Sequence, residues 1–247
     1  QNLEAIPLQQ QLPAAAHVSS PEEEAELMTL REAVTASDLQ YSSENEVNGH
    51  TLNALNALAL RLGQAGRHGE ALPIFQRVLT ILEDNLGEDH AYTIDCMDAV
   101  SRCLLNLTRY EEALPLCVRA AEAQAIAVGA EHPDTIAAAA SQAACLMLMD
   151  RSEEALVLYQ RILKVSERLR PTDIETISLL NMTANCLSDL GRPGEAVPLF
   201  DHAVAVSKRT LGADHPETIT SSSNLAVALQ RVNREFSDGQ VQGAVAT

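Results

Sequence analysis

Apolar positions recur along this chain with a helical period. In TLNALNALALRLGQ (Thr51–Gln64), Leu52, Leu55, Ala59 and Leu62 share one helical face. Further on, Ala71, Phe75, Val78 and Leu82 stand at i, i+4, i+7 and i+11, the buried stripe of a second amphipathic helix. A short Gly-bearing turn, GRHG at Gly66, separates the two. The spacing predicts a helix pair.

The pair then returns. GEDHAYT (Gly87–Thr93) reappears as GAEHPDT (Gly129–Thr135) and GADHPET (Gly212–Thr218), and the threonines Thr51, Thr93, Thr135, Thr176 and Thr218 are 42, 42, 41 and 42 residues apart. EALPIF (Glu70–Phe75) recurs as EALPLC (Glu112–Cys117), EALVLY (Glu154–Tyr159) and EAVPLF (Glu195–Phe200), so that Ala71, Ala113, Ala155 and Ala196 repeat the same spacing. The intervening turns are TRY at Thr108, DRS at Asp150 and GRPG at Gly191. Pro133 and Pro216 are placed to start first helices, where a preset φ and a missing N–H do no harm. Pro73, Pro115 and Pro198 fall near the start of second helices, where proline is tolerated better than deeper in. A single helix pair cannot bury its apolar face, whereas stacked pairs share a continuous interior and expose a concave and a convex surface.

Composition agrees with this. The 247 residues are 46% hydrophobic but include no Trp, three Phe and four Tyr, so short aliphatic side chains must fill a tightly packed all-α interior. Asp and Glu outnumber Lys and Arg by 34 to 17, a formal charge of −17. That balance excludes a phosphate backbone as partner, because no basic stripe is present to release counterions, and it would steer a basic protein surface. The five cysteines, Cys96, Cys103, Cys117, Cys145 and Cys186, form no CxxC pair. They read as buried thiols of an intracellular, reducing compartment, neither a disulfide framework nor a zinc site. No apolar run is long enough to insert into a membrane.

The ends lack the period. Residues 1–21, with Pro7 and Pro13, read as an extended arm. Residues 22–43 read as a capping helix that places acids in its first turn and aligns Leu27, Leu30, Ala33 and Val34. The repeats occupy 44–231, about four and a half units, and 232–247 are expected to be an irregular tail. Gln1 stands where a Met would open a primary translation product, which suits a processed chain or part of a longer one.

On these landmarks the chain resembles the tetratricopeptide repeat family, in the 42-residue variety of kinesin light chains. The family's small residues at the helix contact fall here on Ala59, Ser101, Ala143, Ala184 and Ala226, and the larger residue four after each second-helix alanine is Phe75, Cys117, Tyr159 or Phe200. LGADHPET (Leu211–Thr218) matches the family's inter-repeat loop. The resemblance implies an all-α, right-handed superhelical solenoid of antiparallel helix pairs. It also implies a partner-binding concave face lined by Asn53, Asn56, Asp95, Asp98, Arg102, Asn106, Asn181, Asn185 and Asp189. The light-chain asparagines two residues before the small position are replaced by Ala57, Ala99, Ser141 and Met182, and only Asn224 conforms.

No nucleotide-binding, hydrolase or metalloprotease motif occurs. His90, His132 and His215 recur at one loop position, but stacked repeats would set them about 10 Å apart, too far to share a metal ion. The expectation is a non-catalytic scaffold or adaptor without cofactor. It would bind protein or peptide partners, with basic surfaces favoured, as a subunit of a hetero-oligomeric complex. A sensor fragment of a larger signalling ATPase and a light-chain-like cargo adaptor are the alternatives.

Overall fold

The computed structural model describes residues 20–41 and 49–245, with side chains over 20–36 and 51–234. Among the described residues all regular structure is helical. The helices are α1 (Pro21–Tyr41), α2 (Gly49–Gln64), α3 (His68–Leu86), α4 (Ala91–Asn106), α5 (Tyr110–Val128), α6 (Pro133–Leu148), α7 (Ser152–Leu169), α8 (Ile174–Asp189), α9 (Pro193–Thr210) and α10 (Pro216–Val245). Two compact units divide between Ala138 and Ala139, within α6. In the first, α1 packs on α2, α2 on α3, α3 on α4 and α4 on α5; in the second, α7 packs on α8, α8 on α9, and α10 on α9 and α8.

The recurrent residues explain why each repeat folds alike. The first-helix residues Ala59, Ser101, Ala143 and Ala184 and the second-helix alanines Ala71, Ala113, Ala155 and Ala196 are all at most 1% exposed. Side chains this short let helix backbones approach closely, and the interior is then completed by Phe75, Cys117, Tyr159 and Phe200, each buried. Burial pushes the Tyr159 phenol up from its ordinary value, so it stays neutral.

The landmark threonine is the third residue of each first helix and points backwards. Thr93 Oγ1 donates to the Gly87 carbonyl at 2.7 Å, Thr135 to Gly129 at 2.7 Å, Thr176 to Arg170 at 2.6 Å and Thr218 to Gly212 at 2.8 Å. Each bond clasps the end of one helix pair to the start of the next. Gly87, Gly129 and Gly212 take φ of 87°, 99° and 93°, a region that penalises any Cβ. The single 41-residue spacing arises in α7, which is one residue shorter between its landmarks and ends on Arg170 with φ −146°. Thr176 keeps the clasp there, and its hydroxyl also meets Ser166 Oγ at 2.6 Å.

Second helices start from a second recurrent device. Arg67, Arg109, Arg151 and Arg192 occupy the N-cap position and bond Glu70, Glu112, Glu154 and Glu195 three residues on. These are solvent-facing pairs that orient the first turn, where a carboxylate also meets the positive end of the helix dipole. The residue preceding that cap by one position lies in the left-handed region every time: Gly66 (φ 71°), Thr108 (59°), Asp150 (60°) and Gly191 (69°).

At the N-terminal end, α1 opens with a reciprocal capping box. Ser20 N donates to Glu23 Oε2 at 2.7 Å and Glu23 N to Ser20 Oγ at 3.2 Å. Leu27 is buried against the first repeat, and Glu26 pairs with Arg61, Glu24 with Arg67 at 2.8 Å and Arg31 with Glu70 at 2.6 Å. Most of the expected arm, and the junction before α2, lie outside the described residues. The expected irregular tail from 232 is corrected: α10 continues to Val245. No proline interrupts NREFSDGQVQGAV, and Gly239 and Gly243 each cost about 1 kcal/mol of helix propensity without forbidding it.

Two outcomes are expected in urea denaturation. Thr108→Gly relieves a β-branched residue held at positive φ and raises stability by about 1 kcal/mol. Thr93→Val keeps shape but removes the clasp to Gly87 and lowers stability by about 1 kcal/mol.

Candidate partner-binding surface

Of the nine expected surface residues, six lie in the first unit. Asn53 and Asn56 are exposed on α2. On α4, Asp95, Asp98, Arg102 and Asn106 follow one another at helical spacing and form a continuous strip. Asp98 pairs with Arg102, and Asn106 Nδ2 donates to the Arg102 carbonyl at 2.8 Å. Desolvation, followed by the nearby carboxylates of Asp134 and Asp98, raises the Asp95 carboxyl above its ordinary value, with Arg102 opposing. The strip therefore includes Asp134, from the first turn of α6, and carries more acid than its one arginine neutralises.

The other three belong to the second unit, and the structure changes the part of one. Asn181 is 5% exposed and its Nδ2 donates to Ser221 Oγ at 2.7 Å and to Glu217 Oε1 at 3.1 Å. It ties α8 to α10 instead of facing solvent, while its Oδ1 is buried without a partner. Asn185 is half-buried and Asp189 exposed. The Asp189 carboxyl is raised by desolvation, an effect opposed by Arg231 and reinforced by Asp150. Arg231 itself donates to the Ser188 carbonyl at 3.2 Å.

Sequence reasoning missed Asp134, Glu217 and Arg231. A signal for the first two existed: the residue before three of the five landmark threonines is acidic, at Asp134, Glu175 and Glu217.

The recurrent histidines are helix caps. His90 Nδ1 accepts the Tyr92 N–H at 3.2 Å, His132 that of Asp134 at 3.3 Å and His215 that of Glu217 at 3.2 Å. Among the described residues no group of three or more His, Cys, Asp or Glu is placed to hold a metal ion, and no helix is long and apolar enough to cross a membrane. All five cysteines are buried, and none is in a disulfide. Burial, with Glu83 and Asp95 adding to it, pushes the Cys96 thiol up to about 12, and burial with Asp189 takes Cys186 to about 11. Both act as protonated donors, Cys96 Sγ to the Phe75 carbonyl at 3.5 Å and Cys186 Sγ to that of Ser152 at 3.0 Å.

The tetratricopeptide repeat profile matches residues 50–116, 100–168, 136–206 and 175–235, four overlapping windows that together run from 50 to 235. The chain belongs to the tetratricopeptide repeat family. Among solved structures it is similar to a Podosopora anserina kinesin light chain with nearly identical TPR-like repeats, at 23% identity over 79% of this chain and 93% of that one, TM-score 0.65. It is similar also to BtubC (BKLC) from P. vanneervenii, at 13% identity over 87% and 85%, TM-score 0.70. A third is the apo form of RapI, at 14% identity over 88% and 83%, TM-score 0.61. These likenesses establish an all-α solenoid. No curated protein sequence matches the chain. Tetratricopeptide repeats are interaction scaffolds that bind protein or peptide partners, and no enzymatic family is indicated.

A pH test follows from Asp95. Its raised carboxyl is a burden on the folded state once ionised, so its contribution falls as pH rises from the ordinary carboxylate range through the higher folded value. Asp95→Asn is expected to be more stable than the parent at pH 7, with the difference vanishing in acid where the parent's Asp95 is protonated; thermal melts across pH measure it.

Proposed function

We propose that this chain is a non-catalytic scaffold of a multi-protein assembly, and that the α2–α4 strip docks a basic segment of a partner polypeptide. The observation that carries this is the excess acid of the α4 strip, where Asp95 and Asp134 add to the Asp98–Arg102 pair, together with the exposed amides of Asn53 and Asn56 on α2. Carboxylates at such a strip attract Lys or Arg side chains, and side-chain amides can bond the backbone of an extended or helical peptide. A net charge of −17 favours the same partner at long range. Arg102 is held by Asp98, so it orients one carboxylate and leaves Asp95 and Asp134 to the partner. In the second unit, Asn185 and Asp189 on α8 offer a separate polar contact, whereas Asn181 holds helices together.

The test is purification from the native source with mass spectrometry of the accompanying proteins, for the parent and for the Asp95→Asn, Asp98→Asn, Asp134→Asn triple variant. The variant is expected to lose the main companion or hold it about tenfold more weakly, as charge pairs at an interface allow. Parent binding should weaken as salt rises. Companions retained equally by both proteins would move the interface elsewhere.

A further inference from the structure

In four repeats, the first-helix residues eight and eleven after the landmark threonine are covered. These are Ala59 and Leu62, Ser101 and Leu104, Ala143 and Leu146, and Ala184 and Leu187, all buried. The same positions on α10 are Ala226 and Leu229. Ala226 is exposed and Leu229 is 44% exposed, with Val227 beside them at 42%. Among the described residues α10 packs on α9 and α8 and on no later helix. Where earlier first helices end after 16 residues and turn back, α10 runs for 30. It therefore presents the half of a repeat that elsewhere meets a second helix.

A segment with the second-helix signature exists elsewhere in the sequence. Glu4-Ala5-Ile6-Pro7-Leu8 reproduces Glu70-Ala71-Leu72-Pro73-Ile74, Glu112-Ala113-Leu114-Pro115-Leu116 and Glu195-Ala196-Val197-Pro198-Leu199. Seven residues after the alanine, where Val78, Ala120, Ile162 and Ala203 are buried, stands Leu12. The match departs at Gln9, which replaces the large residue, and Pro13 closes the segment. Residues 3–12 lie outside the described residues and precede α1, which is engaged with α2 and α3.

We propose that the Ala226–Leu229 face of α10 receives residues 3–12 of a second copy of this chain, packed as the second helix that completes the fifth repeat. The interface is one the chain already builds within itself: a short side chain on the first helix against the alanine of an EAxPL helix. The donor is a second copy, because α1, which directly follows the segment, is tied to α2 and α3 in the first unit, whereas α10 belongs to the second. The contact joins the front of one copy to the back of the next, so it generates rings or open chains instead of a two-fold dimer. It uses neither helix of the α2–α4 strip and is independent of the partner proposed there.

Sedimentation of the 247-residue chain over a range of concentrations, and binding of a labelled peptide of residues 1–12 to a chain lacking them, test this together. The full chain is expected to gain mass with concentration, and both its Ala5→Arg variant and the shortened chain to stay monomeric. The peptide is expected to bind the shortened chain and to bind its Ala226→Arg and Leu229→Glu variants at least tenfold more weakly. Both α10 variants change exposed residues, so unaltered helix content by circular dichroism separates lost docking from lost folding. A chain monomeric at every concentration overturns the proposal if the peptide also fails to bind. Peptide binding indifferent to both α10 variants overturns the site. Peptide binding by the shortened chain alongside a strictly monomeric full chain overturns the second copy as donor and makes the segment intramolecular.

Discussion

Close approach of two helices through a side chain no larger than alanine or serine is the constraint on which the rest of this structure depends. Each repeat places one such residue on its first helix and one on its second, and in the four complete pairs all eight are shut off from solvent. A larger residue at either position would hold the helices apart, and the Phe, Tyr, Cys and Leu residues around it would no longer fill the space between them. The near absence of aromatics follows: an interior set by backbone proximity has room for one large side chain per repeat, which Phe75, Tyr159 and Phe200 supply.

This contact fixes how a pair forms, while a different interaction fixes how pairs follow one another. The threonine clasp and the positive-φ glycine ahead of it define where one pair stops and the next begins. Repeat length can therefore vary without disturbing the stacking register. When α7 is a residue shorter, Arg170 replaces the glycine with a different backbone angle, yet Thr176 still reaches its carbonyl. The threonine and not the glycine is thus the constant feature of these junctions, which accords with its being the most regular mark in the sequence.

The helix pairs are legible because each residue that sets them recurs, and recurrence separates a packing requirement from accident. The chemistry of single positions is less so. Asn181 has the helical phase of a groove residue, but its partners Glu217 and Ser221 lie in another repeat, and only the fold shows that they use its amide. Applying the 42-residue register to polar residues as well as apolar ones would set α8 and α10 side by side and expose that bond. Asp134 escapes notice for the converse reason: it belongs to a loop landmark, where an acid is expected as a helix-start residue, and its nearness to Asp95 arises from stacking. The length of α10 is not legible because glycines in NREFSDGQVQGAV read as breakers, whereas glycine only weakens a helix that nothing forces to stop.

In an architecture where each unit is stabilised by its neighbours, terminal helices face a problem that interior ones do not. The two ends of this chain meet it differently. At the front, among the described side chains, α1 covers α2 with one buried leucine and a set of ion pairs to Arg61, Arg67 and Glu70, and its exposed residues are mostly polar. At the back, α10 leaves uncovered an alanine and a leucine at positions where interior repeats are sealed. A polar cap removes the reason to associate, and an apolar half-site preserves it, so the asymmetry between the ends gives the solenoid a direction in which further polypeptide can be added.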